Sequence, residues 1–217
     1  MLFLPISLAL FLLFLVLIPL LFVLAPALAF AKLRLNPFLG YAFFILCLFG
    51  GGINFPIYRE KAAAPMTYDD FTLFLHRFFG VRFPVIRERI IAINLGGAVL
   101  PTLLSLYLLT RTPLSVTFIA TVVVSITAYL MSKPVRGVGI VMPAFVPPIV
   151  AALTALILAR EHAPQVAYVS GVMGTLIGAD ILRLPQIRKL ESPFMSIGGA
   201  GVFDGIYLVG LVSVLLA

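Results

Sequence analysis

An all-α bundle built into a membrane is the fold class this sequence predicts, on three observations. Of its 217 residues 62% are hydrophobic and 11% charged, with a mean hydropathy of +1.19, whereas soluble domains average about 25% charged residues. Apolar runs of about 20 residues, the length that crosses a hydrocarbon core of about 30 Å, recur along the whole chain. The charges gather in the segments between those runs. Together these predict a single polytopic domain over residues 1–217, with about seven transmembrane helices and no room for a sizeable soluble domain beside them.

The first run, residues 2–31, carries no charge. It lacks the basic start of a signal peptide and is about twice the length of a signal peptide's apolar stretch. It reads as a membrane helix bent at Pro19 and Pro26. The second span, 37–55, ends in Gly50-Gly51-Gly52-Ile53-Asn54-Phe55-Pro56, where glycines, an amide and a proline break a helix. Residues 57–88 form the one long loop. Within it Thr67-Tyr68-Asp69-Asp70 has capping-box character, and Phe71, Phe74, Leu75 and Phe78 follow at helical spacing. This predicts an amphipathic helix lying in the headgroup layer, with Asp69 and Asp70 at its positive dipole end.

The third span, 89–110, contains Asn94-Leu95-Gly96-Gly97, a polar amide in an apolar helix beside glycines that permit close helix approach. The fourth, 113–131, is uncharged and rich in Thr, Val and Ser. The fifth, 137–159, opens with Pro143, Pro147 and Pro148, which predict a kink or an unwound turn. The sixth and seventh cover 164–182 and 195–217. Loops after the second, fourth and sixth spans hold eleven Lys and Arg residues and the alternate loops four. By the positive-inside rule, the N-terminus and the basic loops are cytoplasmic, and the chain is a multi-pass protein of the inner or plasma membrane. The same rule accounts for the net charge of +7 without nucleic acid. The bilayer is the expected partner, and a homo-oligomer fits a bundle of this size.

Cys47 stands alone in an apolar run, which excludes an intrachain disulfide and predicts a small buried hydrophobe. His76 and His162 are isolated, and no HExxH, CxxC, Walker, GxGxxG or GxSxG pattern occurs. Neither a metal site nor a cofactor is expected. The chemistry-bearing residues are instead two acids in apolar surroundings, Asp180 near the end of the sixth span and Asp204 at the start of the seventh. An ionisable group at membrane depth marks a functional site. Adjacent antiparallel spans bring the two acids to similar depth. Two such carboxyls share a proton near neutral pH, so that one activates water while the other polarises a carbonyl. Asn54, Asn94, Gly96, Gly97, Pro143, Gly178, Gly198, Gly199, Gly201 and Gly205 are the candidate lining of that site.

Asn94-Leu95-Gly96-Gly97, Gly137-Val138-Gly139-Ile140 with Pro143, Gly178-Ala179-Asp180, and Ser196-Ile197-Gly198-Gly199-Ala200-Gly201 with Phe203-Asp204-Gly205 resemble the motifs of a prokaryotic family of polytopic membrane proteins known as a domain of unknown function. That resemblance covers most of the chain and implies no activity. The placement of Asp180 on the sixth span, and of Gly199-Ala200-Gly201 before Asp204 on the seventh, also resembles the GxGD intramembrane aspartyl proteases of the presenilin and signal-peptide-peptidase type. Pro143-Ala144-Phe145 is similar to their Pro-Ala-Leu motif. The pattern differs in the two residues between Gly201 and Asp204, in Ala179 where those enzymes carry tyrosine, and in the position of Pro143 ahead of the pair. The resemblance implies an aspartyl protease-like hydrolase acting on a membrane-helix peptide.

Two other functions use the same residues. A cation- or proton-coupled transporter or channel would employ Asn54, Asn94, Asp180 and Asp204 at helix breaks. A non-enzymatic assembly protein would pair Asp180 with Arg183 and use Asp204 as a helix cap.

Overall fold

Asn36 caps the second helix by accepting a hydrogen bond from Phe38 N, with Pro37 at its first position, and prolines likewise open two later helices. Proline lacks the N–H that the first turn leaves unpaired and has its φ preset for a helix. The computed structural model describes residues 6–61, 88–135, 139–188, 194–199 and 205–217. Its elements are α1 (Ile6–Lys32), α2 (Pro37–Gly50), β1 (Asn54–Lys61), β2 (Glu88–Asn94), and α3, a π turn (Leu95–Val99) continued by an α-helix (Leu100–Leu109). There follow α4 (Leu114–Met131), β3 (Lys133–Val135), β4 (Gly139–Val141), α5 (Val146–Leu158), and α6, an α-helix (Ala163–Thr175) ending in a π turn (Leu176–Ile181). The chain finishes with the short α7 (Leu184–Arg188), β5 (Phe194–Ile197) and α8 (Gly205–Leu216).

The fold is mostly helical, with a helix in each apolar run, but it is not all-α. β1 pairs antiparallel with β2, β2 pairs parallel with β5, and β3 and β4 form a separate hairpin. Residues expected inside the second, third, fifth and seventh spans therefore lie in strands, and α2, α3, α5 and α8 are correspondingly shorter than those spans. Ile90 to Ile93 and Met195 to Ile197 are short apolar stretches, which periodicity alone cannot assign to helix or strand. The β1–β2 register shifts between Pro56 and Tyr58, because proline cannot donate to the ladder and is tolerated at a bulge.

The unwound turn expected in the fifth span is present: Met142 and Pro143 lie outside helix and strand, and Ala144 and Phe145 form a turn between β4 and α5. Pro147 and Pro148 are buried in the first turn of α5, so they begin that helix and do not kink it. α1 is continuous through Pro19 and Pro26. The amphipathic helix expected around residues 67–78 lies outside the described residues.

α6 is the axis of the bundle, packing on α3, α4, α5 and α8. Arg160–Gln186, which contains α6, and Leu114–Met131 are long and apolar enough to cross a membrane. The first is 72% buried and the second 28%, as expected for a central and a peripheral helix. The α4–α6 contact is close because its residues are small. A Cβ on Gly174 would lie 2.6 Å from Val124 Cβ, and the same face of α4 offers Ala120, Ser125 and Ala128. Cys47 is buried, as its apolar surroundings predict.

Successive helices run antiparallel, so the connections gather at two ends. One end joins α1 to α8 and α6: Lys32 Nζ donates to Leu215 O at 2.9 Å, and Gln165 Nε2 donates to Leu33 O at 3.3 Å. The other end carries both sheets. There Ile91 and Met195 are buried against Ile140, Leu184 and Ile197, which gives the strands a small core of their own.

Candidate functional site at the sheet end

Asn94 is the last residue of β2 and the N-cap of α3, with φ −78° and ψ 133°. Extended backbone of this kind turns an asparagine side chain back over the new helix, and here Oδ1 accepts from Gly97 N at 2.8 Å. Its amide nitrogen donates to Gly51 O at 2.7 Å and to Asn54 Oδ1 at 3.2 Å. Asn54 Oδ1 also accepts from the Ser196 hydroxyl. Fully buried Asn94 therefore ties the end of α2 to β1 and the start of α3, and through Asn54 to β5.

Asp180 approaches the same region from the π turn of α6. Its Oδ2 accepts the backbone N–H of Gly198 at 2.7 Å, directly after β5. Gly198 and Gly199 have φ of +88° and +87°, a region that residues with a Cβ avoid. The chain turns there against the first turn of α3: a Cβ on Gly198 would lie 2.6 Å from Ala98 Cβ and 2.7 Å from Ala98 N. π turns are rare and concentrate at functional sites. Two of them, with Asn94 at the head of one and Asp180 within the other, meet around β5.

Of the predicted site residues, Asn54, Asn94, Gly96, Gly97, Gly198 and Asp180 are brought to this junction, with Gly199 exposed beside it. Gly178 faces α4, where a Cβ would meet Ser125 O at 2.2 Å. Pro143 is exposed between β4 and α5, and Gly205 is exposed at the start of α8. Gly201 and Asp204 lie outside the described residues.

The pairing of Asp180 with Arg183 is corrected by the geometry. Arg183 donates Nε to Ser132 Oγ at 3.2 Å and Nη2 to Ser132 O at 2.9 Å, reaches Tyr129 O and Gln186 Oε1 as well, and stacks 4.1 Å from the Tyr129 ring centroid. The guanidinium thus caps the C-terminus of α4, where carbonyls are unpaired and the helix dipole is negative. The Arg183 acceptors at Tyr129 and Ser132, and the Ser196 bond to Asn54, are not legible in the sequence because these partners lie 51 to 142 residues apart. Lysine at position 183 keeps the charge but has neither the planar fork nor the stacking face. Arg183→Lys is expected to lower the unfolding temperature by about 2–6 °C, measured in detergent.

Residues 48–216 match a family described as "Protein of unknown function (DUF1614)". The match covers most of the chain, and the protein belongs to that family. No curated protein and no solved structure matches it.

Proposed function

We propose that this protein is a multi-pass protein of the plasma membrane, with the sheet end cytoplasmic, and that it is an aspartyl protease-like hydrolase using Asp180 and Asp204 on a membrane-helix peptide. Membrane residence is supported by large apolar side chains exposed on several helices, among them Phe38 and Phe49 on α2, Phe118 on α4 and Ile157 on α5, each at least 70% exposed. Water-facing surfaces rarely carry apolar cover on this scale.

The observation that carries the hydrolase reading is the hydrogen bond from Gly198 N to Asp180. It anchors one carboxyl to the segment in which the second follows six positions later. One carboxyl oxygen is held in place, and the group remains an acid or base for water and a peptide carbonyl, provided its partner shares the proton. Ion coordination has less support. The Asn94 amide donates to Gly51 O and Asn54 Oδ1, two oxygens that a cation would require.

The test is cleavage of tagged single-span peptides by the purified protein in proteoliposomes. Asp180→Asn retains an acceptor for Gly198 N–H but loses acid–base chemistry, and Asp204→Asn loses the partner. Each is expected to reduce cleavage at least about 100-fold. Undiminished cleavage by both variants rejects the pair, and ion-driven uptake without any peptide product supports transport instead.

A further inference from the structure

Three side-chain atoms buried inside the bundle have no hydrogen-bond partner among the described residues: Gln165 Oε1, Tyr168 Oη and Thr175 Oγ1. All three belong to α6, and their residues are 4%, 4% and 3% exposed. A buried polar atom without a partner costs about 1–3 kcal/mol, so native interiors rarely leave one, and three on one helix face call for a common cause.

Their spacing supplies it. Residues three, four and seven apart share a face of an α-helix, which aligns Gln165, Tyr168, Gly171 and Thr175. Gly171 fills the gap in that row with an oxygen from the neighbouring helix: its absent Cβ leaves room for Ser213 Oγ of α8, which would lie only 2.6 Å from such an atom. The Ser213 hydroxyl donates to Val209 O and keeps its lone pairs. Gly210 of α8 admits the Tyr168 ring in the same way. The row continues into the π turn. Its hydrogen bonds join residues five apart, which stacks Asp180 on Thr175.

Thr175 also departs from four other helical threonines. Thr117, Thr121, Thr127 and Thr154 each donate to the carbonyl four residues earlier, the usual resting place of a threonine hydroxyl in an apolar helix. Thr175 is not paired in this way, so its hydroxyl is available to another acceptor. Gln165 gives its nitrogen to Leu33 O. Exchanging the amide's oxygen and nitrogen would only move the unpaired atom, because that carbonyl needs a donor.

We infer that the α6–α8 interface is a water-binding seam, in which ordered water molecules bridge Gln165, Tyr168, Ser213 and Thr175 from the end of the bundle opposite the sheets to the turn bearing Asp180. Water suits the seam because each group is a small hydroxyl or amide that can both give and take a hydrogen bond through it. From Gln165 to Asp180 the row rises about 22 Å at 1.5 Å per residue, most of a hydrocarbon core. The seam is independent of whether Asp180 takes part in hydrolysis.

Radiolytic hydroxyl-radical labelling tests it, because radicals formed from bound water oxidise the side chains that the water touches. The full-length protein in lipid nanodiscs, irradiated in ¹⁸O-water, is expected to carry ¹⁸O on buried Tyr168. Thr175→Val is expected to reduce that labelling about threefold or more by removing an adjacent water ligand. An unlabelled Tyr168, or labelling unaffected by Thr175→Val, overturns the seam. Unfolding temperature gives a second measurement of opposite sign for wet and dry interiors. In a dry interface, Tyr168→Phe and Thr175→Val each remove an unpaired hydroxyl and raise it. In a water-filled seam each breaks a hydrogen bond and lowers it by about 2–6 °C. An unchanged or raised value in both variants also overturns the proposal.

Discussion

Gly198→Ala is expected to destabilise the protein by about 2–5 kcal/mol and to abolish whatever activity depends on Asp180. Two costs combine. A Cβ at φ +88° carries the left-handed penalty of about 1–2 kcal/mol. The same atom would lie 2.6 Å from Ala98 Cβ and 2.7 Å from Ala98 N, and relieving that overlap costs about 1–3 kcal/mol more. Relief requires the turn to move away from α3, and the turn carries the N–H that holds Asp180 Oδ2. For a chain of this size the loss corresponds to a fall of about 5–15 °C in unfolding temperature. Gly199→Ala separates the terms, since Gly199 has nearly the same φ but is exposed. It is expected to cost only the backbone term, with a fall of about 2–6 °C. Equal falls for the two variants would show that the packing against Ala98 contributes nothing.

The sequence makes the helices legible and the sheets illegible for one physical reason. A helix satisfies its backbone within itself, so an apolar run flanked by charge announces it locally. β2 needs β1 and β5, whose partner residues lie 27 to 40 positions before and 104 after, and its own Ile90-Ile91-Ala92-Ile93 leads through Asn94 into the apolar run of α3. Asn94 was visible as an anomaly in that run. It marks where strand gives way to helix, and its side chain caps the π turn. Asp180 and Gly198 were likewise legible as a costly acid and a flexible turn, and the structure joins them by a hydrogen bond. The role of Arg183 was not legible, because the nearest carboxylate in sequence was a plausible partner. Its actual acceptors, at Tyr129 and Ser132, exist only once α4 ends beside α6. The three prolines of the fifth span announced a break in the helix, but not that Pro147 and Pro148 would begin a new one.

Gly96→Ala tests whether the junction depends on backbone-to-backbone contact between α2 and α3. A Cβ at this position would lie 2.0 Å from Cys47 O, 2.5 Å from Gly51 N and 2.9 Å from Gly50 C. All three are main-chain atoms in the last turn of α2, and Gly51 N is already committed to Cys47 O at 2.8 Å. No rotamer change can relieve such an overlap, so either the π turn or the end of α2 must shift. Either shift breaks the Asn94–Gly51 hydrogen bond that spans the contact. The cost belongs at the upper end of overpacking effects, about 3 kcal/mol or more, and the unfolding temperature is expected to fall by about 6–12 °C. Gly205→Ala is the matched control, since nothing among the described residues lies within 4 Å of a Cβ there, and at the start of α8 alanine is neutral or stabilising by up to about 1 kcal/mol. A Gly96→Ala protein as stable as Gly205→Ala would mean that α2 and α3 do not make this contact. The linkage from Gly51 through Asn94 and Asn54 to β5 and Asp180 would then lose its first member.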